Sequence, residues 1–164
     1  MLLSSLAEME WRIVVKLFLR AGLVNTVAAC LFTAPVLVPS LAFPILLTQW
    51  GAVYMLLGYL SFILYGVLGM VCWAAAYYLR AEVDGRHKFD KALVYMQVAT
   101  HLLSAYGVSV TLFLGGYMGA KLVYQGMPVQ AVGVVMEVVE IPAGLFILLS
   151  IASTIIGMLN MIKK

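Results

Sequence analysis

The sequence predicts an all-α, polytopic membrane protein, a single domain over residues 1–164 folded as a bundle of four transmembrane helices with both termini cytoplasmic. Of the 164 residues, 65% are hydrophobic and 10% charged, against about 45–50% and 25% in an ordinary soluble domain. The mean hydropathy is +1.07. The apolar residues also fall in four stretches, each longer than the roughly 20 residues that cross a bilayer, with only short joints between them. This composition excludes a water-soluble globule, a disordered chain and a nucleic-acid binder, and its natural surroundings are the lipid bilayer.

Helix 1 is expected from about Trp11 to Val38. Arg12, Lys16 and Arg20 stand near its start, where long basic side chains snorkel to anionic headgroups. The segment Val27-Ala28-Ala29-Cys30 has the look of a lipoprotein cleavage site, but the apolar run continues through Cys30 to Val38, as a spanning helix does. Pro35, Pro39 and Pro44 break its end and shape an uncharged connector over Pro39 to Thr48, because proline removes a backbone donor and restricts its predecessor.

Helix 2 is expected from Gln49 to Leu79, and the polar joint Arg80 to Lys88 carries an Asp84-Gly85 turn signal. Helix 3 is expected from Asp90 to about Val123. Helix 4 is expected from Pro128 to Met161, with Pro128 suited to a first turn.

Orientation follows from the basic residues near helix ends. Arg12, Lys16, Arg20, Arg80, Arg86, Lys88, Lys91, Lys163 and Lys164 fall on one side, and only Lys121 on the other. Four crossings put both termini on that basic, cytoplasmic side, and the asymmetry points to the plasma (inner) membrane of a prokaryote. Trp50 and Tyr54 at one end of helix 2, and Trp73, Tyr77 and Tyr78 at the other, read as interfacial anchors. Cys30 and Cys72 lack CxxC spacing and read as small packing residues.

Helices in lipid meet through small residues and polar groups. Helix 2 carries Gly51, Tyr54, Gly58, Ser61, Tyr65, Gly69, Cys72 and Ala76 at steps of three and four, and helix 3 carries Gln97, His101, Ser104, Gly107, Thr111, Gly115 and Gly119. These two stripes are expected to face each other. His101 then lies roughly 15 Å into the membrane at 1.5 Å per residue, at the level of Gly69, with the Tyr65 hydroxyl as a hydrogen-bond partner. Two roles are open for this histidine. It can bind a cofactor, since an ionisable group at mid-membrane is a functional candidate, or it can join helices through Tyr65 or Ser104.

Glu137 and Glu140 are the acids inside the apolar run of helix 4, three residues apart on one face. They are candidates to pair with Lys121, to line a vestibule or to bind a cation or proton; without a nearby histidine they do not suggest a metal site. Pro142 is expected to kink the helix. Ser150, Ser153, Gly157 and Asn160 form another small-residue stripe, for which helix 1, through Gly22, Thr26, Ala29 and Thr33, or a separate chain is a candidate neighbour.

The segments Gly58-Tyr59-Leu60-Ser61-Phe62-Ile63-Leu64-Tyr65-Gly66-Val67-Leu68, Ala143-Gly144-Leu145 and Asn160-Met161-Ile162-Lys163 resemble the small four-helix membrane proteins related to subunit I of haem-copper oxidases. That resemblance implies association with respiratory complexes. It breaks where the family's haem-ligating histidines precede the glycine-aromatic segment, because residues such as Gly51 and Val53 stand here. A haem would need His101 alone, His101 with a methionine, or His101 from two chains.

No nucleophile elbow, HExxH, phosphate loop or zinc spacing appears, so the sequence names no catalytic or metal-binding residue. The reading it favours is a noncatalytic subunit packed against other membrane-protein subunits. A haem- or quinone-binding redox protein using His101 and Tyr65 is the alternative, and an oligomeric ion or proton transporter using Glu137 and Glu140 is a third.

Overall fold

The computed structural model describes residues 8–42 and 49–163, so Pro44 and most of the expected connector after helix 1 lie outside the described residues. A short strand β1 (Glu8–Glu10) leads into α1 (Trp11–Leu37). Helix α2 has three consecutive stretches: α-helical Gln49–Ser61, π-helical Phe62–Gly69 and α-helical Met70–Asp84. Strand β2 (Lys88–Asp90), α3 (Lys91–Tyr124) and α4 (Gln130–Ile162) follow. Four helices are long and apolar enough to cross a membrane, and the protein is a multi-pass, all-α membrane protein.

Local chemistry moves several expected boundaries. The second helix runs on past Leu79 to Asp84, because Arg80 pairs with Asp84 one turn later and supports the extra turn. Gly85 then ends it with a φ of 67°, so the Asp-Gly pair is a helix C-terminus. Asp90 caps α3, its carboxylate accepting from the N–H groups of Ala92 at 3.0 Å and Leu93 at 3.2 Å. Pro128 precedes α4, its carbonyl accepting from Ala131 N–H at 2.8 Å.

The strand pair is absent from the sequence expectation. β1 and β2 are antiparallel, with Glu8 opposite Asp90, Met9 opposite Phe89 and Glu10 opposite Lys88. Each strand has three residues and only Met9 and Phe89 face inward, too short a pattern for alternation to stand out. The ladder, an ion pair of 3.2 Å between Lys88 and Glu8, and another of 2.7 Å between Lys163 and Asp90 gather the start of α1, the α2–α3 joint and the end of α4 at one end of the bundle. The start of α1 and the end of α4 therefore lie at the same end of the bundle.

Helix α3 is central, packed against α4 and α2, and α1 rests on the second half of α2. The main apolar core lies at the charged end, where Met9, Val14, Phe18, Met70, Ala74, Tyr77, Phe89, Val94 and Val98 are buried together. Tyr77 belongs to this core. It is fully buried, stacks on Phe18 at 5.5 Å and meets Phe89 edge-on at 4.8 Å, so it is no interfacial anchor. Tyr78, its neighbour, is exposed.

Candidate functional site

The π-helical stretch of α2 determines where the polar residues fall. A π-helix closes i→i+5 bonds instead of the α-helical i→i−4 ladder, so it shifts the phase of everything beyond it. The buried positions of α2 are Gly51, Met55, Gly58, Phe62, Gly66, Met70, Ala74, Tyr77 and Ala81. The expected stripe holds at Gly51 and Gly58 and then drifts outward, leaving Tyr65 and Cys72 exposed and Ser61 and Gly69 half-buried. Cys30 is exposed as well, so neither cysteine is a packing residue of the interior.

Two side chains from different helices hold this stretch. Asn25 of α1 donates through Nδ2 to the Gly66 carbonyl at 2.5 Å. His101 of α3 meets the Tyr65 carbonyl through Nε2 at 2.8 Å, and because a carbonyl only accepts, Nε2 carries the proton. The Tyr106 hydroxyl donates to Asn25 Oδ1 at 3.0 Å, extending the network to α3 again. Successive carbonyls of one helix are thus bound by neighbours on two others.

His101 and Tyr65 do meet, but through the Tyr65 backbone, since the re-phased helix turns its side chain out of the bundle. Gly69 lies against the imidazole: a methyl group placed there would stand 2.8 Å from Nε2 and 3.0 Å from Cε1. Ser104 is buried and donates to the His101 carbonyl at 3.0 Å, one turn back on its own helix.

A second polar cluster lies nearer the charged end. Tyr77 donates to Gln97 Oε1 at 2.6 Å, Asn160 donates to the Tyr77 hydroxyl at 3.3 Å, and Ser153 donates to the Gln97 carbonyl at 3.0 Å. Asn160 also exchanges bonds with the Asp90 backbone, accepting from its N–H at 3.0 Å and donating to its carbonyl at 3.3 Å. At the surface, the hydrogen bond from Lys163, then those from the Leu93 and Ala92 N–H groups, hold the Asp90 carboxyl below its ordinary range. Arg80 Nε and Arg86 Nη1 both donate to the Met161 carbonyl, at 3.2 and 2.9 Å, which suits cations at the negative end of α4. Partial burial, and then the nearby Arg80 charge, lower the Arg86 pKa from its ordinary value.

The glycines of α3 serve two neighbours. Gly116 approaches the α2 backbone, where an added Cβ would lie 2.6 Å from the Gly51 carbonyl, and Gly58 approaches the Ser109 carbonyl in the same way at 2.7 Å. Gly107, expected against α2, lies against the Phe146 ring of α4, and Gly115 lies against Val139 of α4 at 2.6 Å. The stripe at Ser150, Ser153, Gly157 and Asn160 faces α3 and α2, not α1: Gly157 receives the Gln97 amide and Trp73. Gly22 of α1 packs on Met70 of α2 at 3.4 Å.

Glu137 and Glu140 are exposed on the outside of α4. Neither makes an ion pair among the described residues, Lys121 included, and α4 continues through Pro142 as one helix. No group of three or more His, Cys, Asp or Glu side chains is gathered among the described residues.

Asn25 is the functional residue that sequence reasoning missed. The signal that could have found it is its interruption of an apolar run, where a polar side chain marks a contact between helices, but its partner is a backbone carbonyl, which spacing does not reveal. No family model, curated protein or solved structure matches the chain.

Proposed function

We propose that this chain is a noncatalytic integral-membrane subunit of a larger membrane complex of the respiratory, electron-transferring class, with both termini on the cytoplasmic side of the plasma (inner) membrane. One observation carries the reading: the long buried polar side chains, with Ser153, join helices to one another. Asn25 and His101 hold the α2 backbone, and Gln97, Ser153, Asn160 and Tyr77 bind one another or main-chain carbonyls. Such bonds fix helix positions in lipid, where no hydrophobic force draws helices together. The respiratory class rests on the resemblance at Gly58 to Leu68 and the end of α4, and the orientation rests on the basic residues at the end where the strands lie.

A second reading keeps His101 as a ligand to haem or a partner to quinone. The feature that favours it is His101 Nδ1, buried without a hydrogen-bond partner. Against it, Nε2 is engaged by the Tyr65 carbonyl and the Tyr65 side chain is exposed.

Purification from the native membrane in mild detergent, with a visible spectrum and identification of co-eluting proteins, separates the two. Fixed-ratio co-elution with larger subunits, without absorbance belonging to this chain, is the expected result. A haem spectrum from the isolated chain, lost in His101→Ala, would replace the subunit reading with the redox one.

A further inference from the structure

The charged end of the bundle holds a cleft of about 800 Å³ between β1, the α2–α3 joint and the end of α4. Small-molecule sites occupy about 300–1,000 Å³. With His87 neutral, its walls carry four cations, Arg80, Arg86, Lys88 and Lys163, against three acids, Glu8, Asp84 and Asp90. Each acid is already taken: Asp84 pairs with Arg80, Glu8 with Lys88 and Asp90 with Lys163. Arg86 is the cation left over, with no carboxylate partner among the described residues.

Arg86 is also held in place. Its guanidinium carbon stands 5.2 Å from the centroid of the buried Phe89 ring, a cation–π contact. Nε donates to the Lys88 carbonyl at 3.3 Å and Nη1 to the Met161 carbonyl at 2.9 Å. Arg80 Nε donates to that same Met161 carbonyl at 3.2 Å, so two guanidiniums meet at one acceptor. The C-terminus of α4 supplies the equivalent of about half a negative charge. Together with Asp84 that still falls short of two guanidiniums, and the Arg80 charge is, after partial burial, a cause of the lowered Arg86 pKa.

The donors left over fit one chemistry. A guanidinium has N–H groups on all three nitrogens, and in both arginines Nη2 has no partner among the described residues. Guanidiniums bind carboxylates and phosphates through paired N–H groups. A phosphate, having more acceptor oxygens than a carboxylate, can take bonds from both arginines at once.

We propose that this cleft is a binding site for a phosphate-bearing anion, held by Arg86 and Arg80 at the end of α4. The phosphate accepts from the Nη2 groups and balances the Arg86 charge, while Lys88 and Lys163 add to the field that draws it in. The cleft lies where the spanning helices end, so the group arrives either on an anionic phospholipid or on a soluble ester, with the same chemistry at the arginines. The site does not depend on the subunit reading.

Titration of the purified chain in a phosphorus-free maltoside detergent, followed by phosphorus NMR line width, tests the site. The probes are inorganic phosphate, a short-chain phosphatidylglycerol and a short-chain phosphatidylcholine, and phospholipid that survives purification is extracted and counted. Saturable binding of phosphate or phosphatidylglycerol, beyond that of phosphatidylcholine, is the expected result. Arg86→Gln should weaken it about tenfold or more, the worth of a charge-assisted hydrogen bond. Lys121→Gln, near the other end of α3, should leave it unchanged. Because Arg86 also caps α4, Asp84→Asn is the second variant: by freeing Arg80 it should tighten binding about threefold, as removal of a nearby surface charge does. Misfolding does not produce such a gain.

Binding of phosphate without phosphatidylglycerol assigns the site to a soluble ester. Binding of phosphatidylglycerol without phosphate, or a phospholipid retained by the parent chain and lost in Arg86→Gln, assigns it to a lipid headgroup. Competition between the two probes means that it takes either. The proposal is overturned if neither probe binds and no phospholipid is retained, or if phosphatidylcholine binds equally well. Binding indifferent to both Arg86→Gln and Asp84→Asn, or weakened as much by Lys121→Gln, overturns it as well.

Discussion

The His101 imidazole donates to the backbone carbonyl of Tyr65 across 2.8 Å, while Asn25 of another helix donates to the next carbonyl, that of Gly66. The π-helical stretch between Phe62 and Gly69 is therefore fastened by both neighbouring helices. A π-turn in isolation is uncommon, and these two bonds explain its persistence here.

His101→Leu removes one of those bonds and leaves the Tyr65 carbonyl without its donor. The expected loss is about 1–3 kcal/mol, the cost of a buried polar group left unpaired. Asn25→Leu is expected to lose a similar amount, since both the Gly66 carbonyl and the Tyr106 hydroxyl lose their partner. Because both side chains hold one stretch of helix, the double variant should lose less than the sum of the two singles. Thermal unfolding in detergent, followed by circular dichroism, measures all three; strict additivity would mean that the bonds act independently.

Glycine substitutions should separate interior from exterior. Gly69→Ala drives a methyl group to 2.8 Å from His101 Nε2, and Gly157→Ala drives one to 2.7 Å from Trp73 Cη2. Each should cost about 1–3 kcal/mol, as overpacking does. Gly133→Ala meets open space and in the isolated chain should be neutral or gain about 0.5–1 kcal/mol from reduced backbone freedom. Melting temperatures of the purified variants give the comparison, and a destabilised Gly133→Ala would contradict the outward placement of that residue.

Acid should loosen the charged end first. The Asp90 carboxyl is held below its ordinary pKa chiefly by Lys163 and by the α3 N–H groups. A carboxyl with a depressed folded value stabilises the fold at pH above its unfolded value of about 3.9, and that stabilisation is lost as pH falls through the folded value. Stability should therefore decline below about pH 4 for Asp90. Asp90→Asn should flatten that part of the curve, and Lys163→Ala should shrink the decline, because it brings the folded pKa of Asp90 back toward the unfolded one. The pair is solvent-exposed, so added salt should weaken its share.

How far the sequence could be read depended on which rule each residue obeyed. Apolar length alone placed four spanning helices, because bilayer thickness imposes that length whatever the packing. That Gly58 faces α3 and that Gly69 lies against His101 were also legible from small-residue spacing, although the Ser109 carbonyl that Gly58 meets was not on the predicted stripe. Beyond the π-helical stretch the uniform period of 3.6 no longer applied, so Tyr65 and Cys72 were assigned to a face they do not occupy. Tyr77 sits at the depth of an interfacial anchor but is fully buried, because β1 and β2 cover that end of the bundle and Phe89 closes over its ring. Gly107 and Gly115 lay on the predicted stripe, yet a central helix with two neighbours divides its small residues between them, and spacing does not reveal which neighbour takes which.

The strand pair offers the most direct check on how the ends meet. Glu10 and Lys88 are opposite one another in the β1–β2 register, and the Trp11 N–H donates to the His87 carbonyl at 2.9 Å just beyond it. Opposed Cα atoms in an antiparallel pair lie about 4.5–5.5 Å apart, inside the roughly 4.4–6.8 Å range over which a disulfide closes. Glu10→Cys with Lys88→Cys should therefore crosslink under mild oxidation, and in the reduced state both thiols should react with a membrane-impermeant maleimide from one side only. Cys72 is exposed on the bundle exterior yet lies twelve residues from Asp84, roughly 18 Å from that end at 1.5 Å per residue. Lipid should shield it from the impermeant reagent while a lipid-soluble one labels it. Labelling of the two engineered cysteines from opposite sides would contradict the shared face for the start of α1 and the α2–α3 joint, and rapid impermeant labelling of Cys72 would place water where the fold puts acyl chains.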